Sequence, residues 1–338
     1  MPKLKNPPRP KGWKVPPMIE VEEGDKVITH SEIEAYRQCP LKWKLAYDER
    51  WTKQDRVDDH PLTKGILWHD VMDIHYTGLK MIQDGVWAED QGLDHIARNV
   101  AELLWPQDGT EQSDLQKLVW WMYQGHLEKY GNDPQWEILA VEQKFQARLK
   151  DPRGRATRYV LKGKLDLVIR DRKTRKIWIV DHKSGQNLPD EMELDLADQF
   201  GVYAWLLGEA GIEVIGVIHS ANRTHQNAGD KPENQDEHGN PLKSTQKKQD
   251  LDQRLRRTLL NRGKGEIQSI ARDFWAVTVN AYPEYSDLEP LPLYSSPDPR
   301  QCGWKCDFLD AHLMARKGRD IRAVLEEQGF VQHFEERY

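Results

Sequence analysis

The sequence predicts a mixed α/β fold (α+β in the order of its elements), in which a central mixed sheet is flanked by helices. Two observations lead to this prediction. Apolar residues recur at helical spacing before about residue 135, and three strand-like runs then follow one another between residues 136 and 182. One more helix, at about 190–210, and one more apolar strand, Ile212–Ser220, come next. Strands joined both by tight turns and by a helix are typical of a mixed sheet with helices packed on it.

The composition limits the function classes. The chain has 338 residues, of which 38% are hydrophobic, enough for one elaborated domain or for a core with a subdomain. It has no apolar run of about 18 residues, so no membrane span is predicted. The formal net charge of -6 argues against a protein that coats nucleic acid, but not against an enzyme with a local basic patch. Three cysteines do not suggest a disulfide framework, so a cytoplasmic setting is expected.

The first two regions are an arm and a set of helices. Residues 1–30 are predicted to be a flexible arm, because the segment begins basic and Pro-rich and lacks the apolar stretch of a secretory signal. Residues 31–135 are predicted to be a helical region, which opens with the capping-box pattern Ser31-Glu-Ile-Glu34. This region carries Cys39 and His69. Its further helices are predicted at about 41–51, 62–79, 88–105 and 111–130.

The remaining regions are a core, a loop and a tail. Residues 136–221 are the predicted core, with strands at 136–147, 157–170 and Lys176–His182. Residues 222–250 hold almost no large apolar side chain and are predicted to be a mobile loop or an extended hairpin. Residues 251–338 are the predicted C-terminal helical region, with the Cys302/Cys306 segment. The helices expected around it are 248–262, 264–281 and 315–328.

Two neighbouring strands of the predicted core bring three charged side chains to one surface. Strand side chains alternate between faces, so Lys162, Lys164 and Asp166 share one face of the second strand. Asp181 and Lys183 share a face of the third strand, and a tight turn between the strands places Asp166 beside Asp181. Two carboxylates bind Mg²⁺ or Mn²⁺, which polarises a phosphoryl oxygen and lowers the pKa of a bound water. The alternative is an exposed Asp-x-Lys pair without chemistry.

These segments resemble the PD-(D/E)XK nuclease superfamily, in particular its RecB-like branch, which includes AddB-type and CRISPR-associated exonucleases and many phage proteins. The resemblance covers about residues 31–220, with a further match at 302–312, and implies a restriction-endonuclease-like core. Besides Gly163-Lys-Leu-Asp166 and Asp181-His-Lys183, four features match. They are Gly65-Ile-Leu-Trp-His69, Gln199-Phe-Gly-Val-Tyr203, the segment from Ser31 to Lys44 with Cys39-Pro40, and Glu142 in the first strand.

The resemblance implies a role for each matching residue. The implied metal ligands are His69, Asp166, Asp181 and the backbone carbonyl of His182, and many relatives carry an acidic residue at the place of Glu142. His69 has the alternative of an ordinary helix histidine, and Glu142 that of an exposed strand residue. His75 lies six residues after His69, so it points elsewhere on the helix and is the weaker ligand candidate.

The implied catalytic set adds three side chains to the two aspartates: Lys183, Gln199 and Tyr203. Gln199 and Tyr203 are four residues apart and share a helix face. In the resembled branch both face the site and contact the DNA phosphate or orient the lysine. The alternative is that Tyr203 belongs to the core and Gln199 is its solvated neighbour.

The cysteines leave three alternatives. Relatives often hold a [4Fe–4S] cluster with one upstream cysteine and three near the C-terminus. Cys39, Cys302 and Cys306 match three of these positions, but His312 stands where the fourth is expected. A Cys₃His set could hold a cluster or a structural Zn²⁺ ion, or the cysteines could simply pack. A bound metal would join the C-terminal segment to the N-terminal helix in a structural role.

Basic residues cluster at 243–264, after the polar loop. Phosphate contact is predicted for Lys247, Lys248, Arg254 and Arg257, although charge runs are usually solvated faces. No base-reading motif accompanies them, so little sequence specificity is expected.

Together these features predict a metal-dependent DNA nuclease, an exonuclease acting on DNA ends or single strands in recombination, repair or DNA degradation. The expected cofactor is Mg²⁺ or Mn²⁺, and the expected place is the cytoplasm of a bacterium or a phage-infected host. A helicase or recombination protein is the candidate partner beside DNA, since the chain has no Gly-x-x-x-x-Gly-Lys-Ser/Thr loop of its own. One alternative is a catalytically inactive DNA-binding or assembly subunit of the same fold. Another is an unrelated metal-stabilised binding module centred on Cys302 and Cys306.

Overall fold

The computed structural model describes residues 18–53, 61–106, 110–242, 247–286, 295–298, 302–303 and 306–333. Within these residues the chain forms two compact units. The first unit takes Asp58–Phe145 and Lys164–Ile267, and the second takes Met18–Val57, Gln146–Gly163 and Gln268–Tyr338. No helix among the described residues is long and apolar enough to cross a membrane.

Strands and helices, numbered separately in chain order, make up most of the described residues. The strands are β1 (Lys26–Ile28), β2 (Trp51–Lys53), β3 (Trp136–Lys150), β4 (Ala156–Asp171), β5 (Ile177–Gly185), β6 (Gly216–Arg223), β7 (Leu255–Asn261) and β8 (Phe330–Gln332). The helices are α1 (His30–Gln38), α2 (Pro40–Trp43), α3 (Pro61–Gln83), α4 (Glu89–Leu104), α5 (Asp114–Tyr130), α6 (Glu191–Asp195), α7 (Asp198–Glu209), α8 (Leu251–Arg254), α9 (Lys264–Ala281), α10 (Leu309–Ala315) and α11 (Ile321–Glu327). A π-helical turn, Lys44–Asp48, follows α2.

The first unit is built on a mixed sheet. In the sheet β4 pairs with β3 and with β5, β5 pairs with β6, and β6 pairs with β7. The β4–β5 pair is antiparallel, with Leu167 opposite Val180, and the β5–β6 pair is parallel, with Asp181 opposite His219. The predicted mixed α/β fold with a central mixed sheet is therefore confirmed.

Helices cover both faces of this sheet. Apolar side chains of α3, α4 and α5 pack with Leu167, Val180 and Ile218 in one buried cluster. On the other face Phe200 of α7 lies edge-on against His219 of β6. Because side chains alternate along β5, the residues next to Val180 point away from the α3 cluster and toward the α7 face.

The second unit has its own core. In it β1 pairs with β4 in parallel, with Val27 opposite Val160, and β2 pairs with β8 in antiparallel, with Thr52 opposite Val331. A compact apolar cluster joins residues of the π-helical turn, β2, α10, α11 and β8. Its buried members are Leu45, Trp51, Phe308, Ala311, Val324, Leu325 and Phe330.

The predicted helix at 248–262 is wrong in its second half. α8 ends at Arg254, and the next seven residues form β7, which is antiparallel to β6. Leu255, Leu259 and Leu260 are spaced for a helix as well as for a strand, so backbone pairing with β6 decides the conformation. The predicted helical region 251–338 thus contains a strand of the first unit, directly after α8.

Other boundaries differ from the predictions in smaller ways. The predicted arm 1–30 contains β1 and the first residue of α1, while residues 1–17 lie outside the described residues. The predicted helix at 190–210 is divided into α6 and α7, and the helix expected at 315–328 begins only at Ile321, after Gly318 with a φ of +85°. The polar segment 222–250 contains a short antiparallel bridge, Gln235 with Pro241.

Candidate metal-dependent active site

Asp166 of β4 is held by two neighbours in the first unit. The backbone N–H of His182 on β5 donates a hydrogen bond to Asp166 Oδ2 at 2.8 Å. His69 Nδ1 on α3 lies 3.5 Å from Asp166 Oδ1. Strand alternation predicted that Asp166 meets the end of β5, and the helix adds the histidine to the same carboxylate.

Asp181 and Lys183 form a buried ion pair on the neighbouring strand. Lys183 Nζ donates to Asp181 Oδ1 at 3.0 Å, and Asp181 is only 3% exposed. Among the described residues, none donates a hydrogen bond to Asp181 Oδ2. Leaving a buried carboxylate oxygen without a donor costs on the order of 1–3 kcal/mol. Asp181 therefore offers an oxygen that a cation or a water molecule would satisfy.

The backbone of Glu142 on β3 has an unusual conformation. Its φ is +48°, in the left-handed region that residues other than glycine seldom adopt, at a cost of about 1–2 kcal/mol. Around it the alternation of burial in β3 is interrupted, because residues 141–144 are all half-buried. The backbone departure turns the carboxylate to Lys164 Nζ, with which it forms an ion pair. Strain of this kind persists where the surrounding structure demands the side chain at one place.

Three side chains meet closely enough to hold one metal ion. His69, Glu142 and Asp166 each present a ligand atom, and these atoms lie within 4.8 Å of one another. A set of one imidazole nitrogen and two carboxylate oxygens suits Mn²⁺ or Mg²⁺. Asp181 is not one of these three residues, and its carboxylate pairs with Lys183 through Oδ1. The donor set and the unsatisfied Asp181 oxygen fit a divalent cation.

Asp166 and His69 stabilise each other's charged forms. Burial alone would raise the pKa of Asp166, but the hydrogen bond and positive charge of His69 outweigh burial and lower it to about 2. Burial likewise opposes protonation of His69, yet the hydrogen bond and negative charge of Asp166 raise the pKa of His69 above its usual value of 6.5. Without a metal ion, the two residues thus form an ion pair.

Lys183 is charged at neutral pH. Burial would lower its pKa, but the charges of Asp181 and Asp166 prevail and raise the pKa of Lys183 above the usual range. Burial raises the pKa of Asp181, and the adjacent Lys183 ammonium counteracts part of that shift. The site therefore offers a fixed positive charge next to the metal-ligand set.

Gln199 and Tyr203 lie one turn apart on α7 and interact with each other. Gln199 Nε2 donates to the Tyr203 hydroxyl at 3.1 Å. Burial, and then the negative charge of Asp181, raise the pKa of Tyr203 to about 12. The hydroxyl is therefore protonated at neutral pH, and the negative charge of Asp181 is close enough to affect its pKa. The predicted contact of these two side chains with a DNA phosphate stays a prediction.

The other candidate histidines point away from the ligand set. The His182 imidazole stacks on the Tyr76 ring with the centroids 5.3 Å apart, and burial lowers the pKa of His182 to about 3. His75 is fully buried, and its Nδ1 lies 3.1 Å from the Tyr123 hydroxyl. His75 is thus outside the ligand set, as the helical spacing predicted. A metal contact through the His182 carbonyl stays a prediction.

Two of the four residues predicted to contact phosphate are instead bonded to other groups of the protein. The Arg254 guanidinium donates to the Trp121 carbonyl at 2.7 Å and lies 3.6 Å from the centroid of the same residue's ring. Arg257 forms a bidentate ion pair with the buried Asp133. The sequence pattern shows charge but not burial, so phosphate contact does not fit Arg254 and Arg257. Lys247 and Lys248 are exposed, and their contact with DNA stays a prediction.

A cleft of about 1660 Å³ in the first unit lies along α5 and the segment that follows β6. Trp120 and Trp121 line it, together with Lys64, Lys231 and Lys248. Acidic side chains line it as well, and one of them, Asp252, pairs with Lys129 at 2.7 Å. The cleft thus combines aromatic faces with a mixed distribution of charge.

The three cysteines lie in the second unit. Cys39, Cys302, Cys306 and His312 line one cavity of about 230 Å³. No three of their ligand atoms lie within 4.8 Å of one another, although all four residues are among the described ones. Sulfurs around a tetrahedral zinc ion are about 3.8 Å apart, given Zn–S bonds of about 2.3 Å. The four residues therefore line a common cavity, but their ligand atoms are spaced too widely for a tetrahedral zinc site.

The sequence did not reveal one group of residues behind the site. Tyr76, Asp133 and Arg257 form a buried hydrogen-bonded cluster on the side of β5 opposite Asp181. They are far apart in the chain and belong to no recognisable motif. No local signal in the sequence marks the group, because Tyr76 lies on α3, Asp133 in the turn before β3 and Arg257 on β7.

Comparison with known proteins identifies a family. The family described as the PD-(D/E)XK nuclease superfamily matches residues 27–285, which is most of the chain. No curated protein matches the sequence. Among solved structures, SSO0001 is 13% identical over 85% of this chain and 84% of its own, with a TM-score of 0.32. A protein from Eubacterium rectale, named "Putative exonuclease", is 10% identical over 81% of this chain and 91% of its own, with a TM-score of 0.41.

The His69–Asp166 pair leads to a pH prediction for the metal-free protein. Because the pKa of His69 is raised in the folded state, its contribution to stability is complete below about pH 6.5 and is lost as the pH rises through the folded pKa. We expect the free energy of unfolding to fall by up to about 1 kcal/mol over that range, the upper value for a partly exposed pair. Urea unfolding in the presence of a chelator, at a series of pH values, measures it.

The control is His69→Asn, which removes the titrating group. The buried His75 and His182 have lowered pKa values and titrate below this range. An equal loss of stability in the wild type and in His69→Asn would show that the pair does not exist as described.

Proposed function

The chain belongs to the PD-(D/E)XK nuclease superfamily, and we propose that it is a divalent-metal-dependent DNA nuclease that acts as an exonuclease on DNA ends or single strands. Nucleases of this superfamily are typically metal-dependent phosphodiesterases. The observation that carries the proposal is the meeting of His69, Glu142 and Asp166 within 4.8 Å of one another, next to the Asp181–Lys183 pair.

His69, Glu142 and Asp166 would hold the metal ion, and Asp181, on the neighbouring strand, has an oxygen without a hydrogen-bond donor among the described residues. When bound, the cation polarises a phosphoryl oxygen and makes a hydroxide nucleophile available near neutral pH. Glu142 must leave Lys164 to take part, and the Lys164 side chain, which is 53% exposed, has room to move into solvent. The backbone N–H of His182 keeps Asp166 Oδ2 in place, and Oδ1 faces His69.

Lys183 supplies positive charge for the reaction. Its ammonium is fixed by Asp181 and remains charged at neutral pH, so it stabilises the negative charge that develops on the phosphate. Gln199 and Tyr203 are mutually hydrogen bonded on the adjacent helix and serve as neutral donors to a phosphate oxygen. In this arrangement the catalytic set is Asp166, Asp181, Lys183, Gln199 and Tyr203.

The DNA path runs along the cleft beside α5. Gly65 on α3 lies close to Ser184, which follows Lys183 on β5. Its neighbour Lys64 lines the cleft, so the cleft reaches the part of α3 that lies beside the end of β5. A strand in the cleft would meet the rings of Trp120 and Trp121, on which bases stack without sequence preference. Because Lys64, Lys231 and Lys248 line the cleft and would neutralise phosphates, we expect binding that weakens with salt. Lys247 and Lys248 are the proposed phosphate contacts.

The proposal of exonuclease activity, and of its biological setting, is based on the sequence motifs alone. Those motifs resemble the RecB-like branch, whose members work on DNA ends in recombination, repair and DNA degradation. On this basis a helicase or recombination protein is the proposed partner, and the cytoplasm of a bacterium or a phage-infected host is the proposed location.

DNA degradation by the purified chain tests the proposal. With Mn²⁺ and linear DNA we expect activity that falls roughly 1,000-fold in Asp166→Asn and roughly 100- to 1,000-fold in Lys183→Met, because each removes charge that the reaction requires. The measurement is the initial rate of nucleotide release from single-stranded and double-stranded linear DNA, closed circular DNA and RNA.

Asp171→Asn is the matched control on the same strand. Asp171 Oδ1 accepts hydrogen bonds from the Thr174 backbone and hydroxyl, which an asparagine oxygen can replace, so the rate should be unchanged. Degradation of closed circles would contradict the exonuclease part. No degradation, or equal degradation by wild type and Asp166→Asn, would contradict the nuclease and favour a non-catalytic DNA-binding subunit.

For the cysteine cavity we propose a [4Fe–4S] cluster bound by Cys39, Cys302, Cys306 and His312, with a structural role. The support is the common cavity of about 230 Å³, together with ligand atoms spaced more widely than a zinc site needs.

Anaerobic purification followed by a visible spectrum and metal analysis tests the cluster. We expect a brown protein with about four irons per chain, and loss of both colour and iron in Cys306→Ser. A colourless protein with one zinc per chain would establish the zinc alternative instead. A colourless protein with neither metal would mean that the cysteines only pack.

A further inference from the structure

Behind the site, three buried residues of the first unit form one hydrogen-bonded cluster, which we call the relay: Tyr76, Asp133 and Arg257. The Tyr76 hydroxyl donates to Asp133 Oδ2 at 2.7 Å. Arg257 donates to both oxygens of Asp133, at 2.8 Å to Oδ2, and its Nη2 lies 3.2 Å from the Tyr76 hydroxyl. The Asp133 side chain is 1% exposed and that of Arg257 is 10% exposed.

Stability alone does not explain such a cluster. Replacing a buried ion pair by apolar residues of similar volume is often neutral or stabilising. The hydrogen bonds of such a buried network favour the one arrangement of its elements in which they can all form. Arg257 is also clamped between two rings, 3.7 Å from the Tyr130 centroid and 4.2 Å from the Trp136 centroid. Hydrogen bonds to Asp133 and ring contacts with Tyr130 and Trp136 therefore hold the Arg257 guanidinium in one position.

The relay contacts the strand that carries the catalytic residues. The Tyr76 ring stacks on the His182 imidazole with an interplanar angle of 19°. His182 lies between Asp181 and Lys183, and its backbone N–H donates to Asp166. Tyr76 therefore supports, from behind, the peptide that fixes the orientation of Asp166.

The relay also joins the elements that deliver the other two proposed ligands. Tyr76 lies on α3, seven residues and thus about two turns after His69. Asp133 has a φ of +47° in the turn before β3, and its carbonyl accepts the N–H of Trp136, where β3 begins and leads to Glu142. One buried cluster thus ties α3, β3 and β5 together.

From these contacts we infer that the relay of Tyr76, Asp133 and Arg257 is a positioning device, which sets the distances between His69, Glu142 and Asp166 and so tunes the affinity of the site for a divalent cation. The relay residues touch neither the cation nor the substrate, and they act through His182, α3 and β3. The inference rests on the proposed metal-dependent function.

The test compares two tyrosine variants that make the same chemical change. Tyr76→Phe removes the hydroxyl from the relay but keeps the ring on His182. Tyr159→Phe, in the second unit, removes a buried hydroxyl that donates to the Tyr282 carbonyl at 2.8 Å. Mn²⁺ binding to the full-length chain is measured by isothermal titration calorimetry, and thermal unfolding is recorded for each protein. We expect Mn²⁺ affinity to fall about tenfold in Tyr76→Phe, as for lost outer-shell contacts, and to stay within about twofold in Tyr159→Phe.

Two further measurements separate positioning from simple destabilisation. Arg257→Lys keeps the charge but loses the bidentate contact, so its Mn²⁺ affinity should fall in the same direction. If the chain degrades DNA, the rate of Tyr76→Phe should recover as Mn²⁺ is raised, with an unchanged KM for DNA. Because metal binding also stabilises a weakened fold, the rates are compared at a temperature at which thermal unfolding shows both metal-free proteins to be folded.

The outcomes distinguish this inference from the proposed function. If the wild type binds no Mn²⁺, both are overturned. If the wild type binds Mn²⁺ and Tyr76→Phe binds it as tightly as Tyr159→Phe, the relay alone is overturned.

Discussion

Three carboxylates converge at the edge of the first unit's sheet, and the site depends on how their negative charges are compensated. Like charges this close cannot all be ionised unless cations accompany them. In the metal-free chain each carboxylate has its own partner: His69 for Asp166, Lys164 for Glu142 and Lys183 for Asp181. A divalent cation would displace Lys164 from Glu142, bind a deprotonated His69 together with Asp166, and leave Lys183 in place.

Alternate side chains of β5 lie on opposite sides of the sheet. Asp181 and Lys183 project from one side of β5 and form an ion pair. His182, between them, projects to the other side and stacks on Tyr76. Its backbone N–H, in the plane of the sheet, reaches Asp166 on β4. A single tripeptide therefore connects the reactive face, the neighbouring strand and the buried cluster behind it.

Much of the site was predictable because its signals are local. The period of two along β4 and β5 placed Asp166, Asp181 and Lys183 together, and the spacing of four placed Gln199 and Tyr203 on one face of α7. The position of the Glu142 side chain was harder to predict, since it depends on a φ of +48° that interrupts the alternation. The burial of Arg254 and Arg257 was not predictable, because it depends on α5 and on the turn before β3. The strand β7 likewise depends on pairing with β6, which no local pattern encodes.

In the proposed site His69, Glu142 and Asp166 together hold one divalent cation next to Asp181. Anomalous X-ray scattering from crystals of the chain grown with Mn²⁺ tests this arrangement. We expect one strong anomalous peak at bonding distance, about 2.0–2.4 Å, from the ligand atoms of His69, Glu142 and Asp166, with Lys164 displaced from Glu142. A Mn²⁺ peak bound elsewhere in the first unit, with the Lys164–Glu142 pair intact, would contradict it.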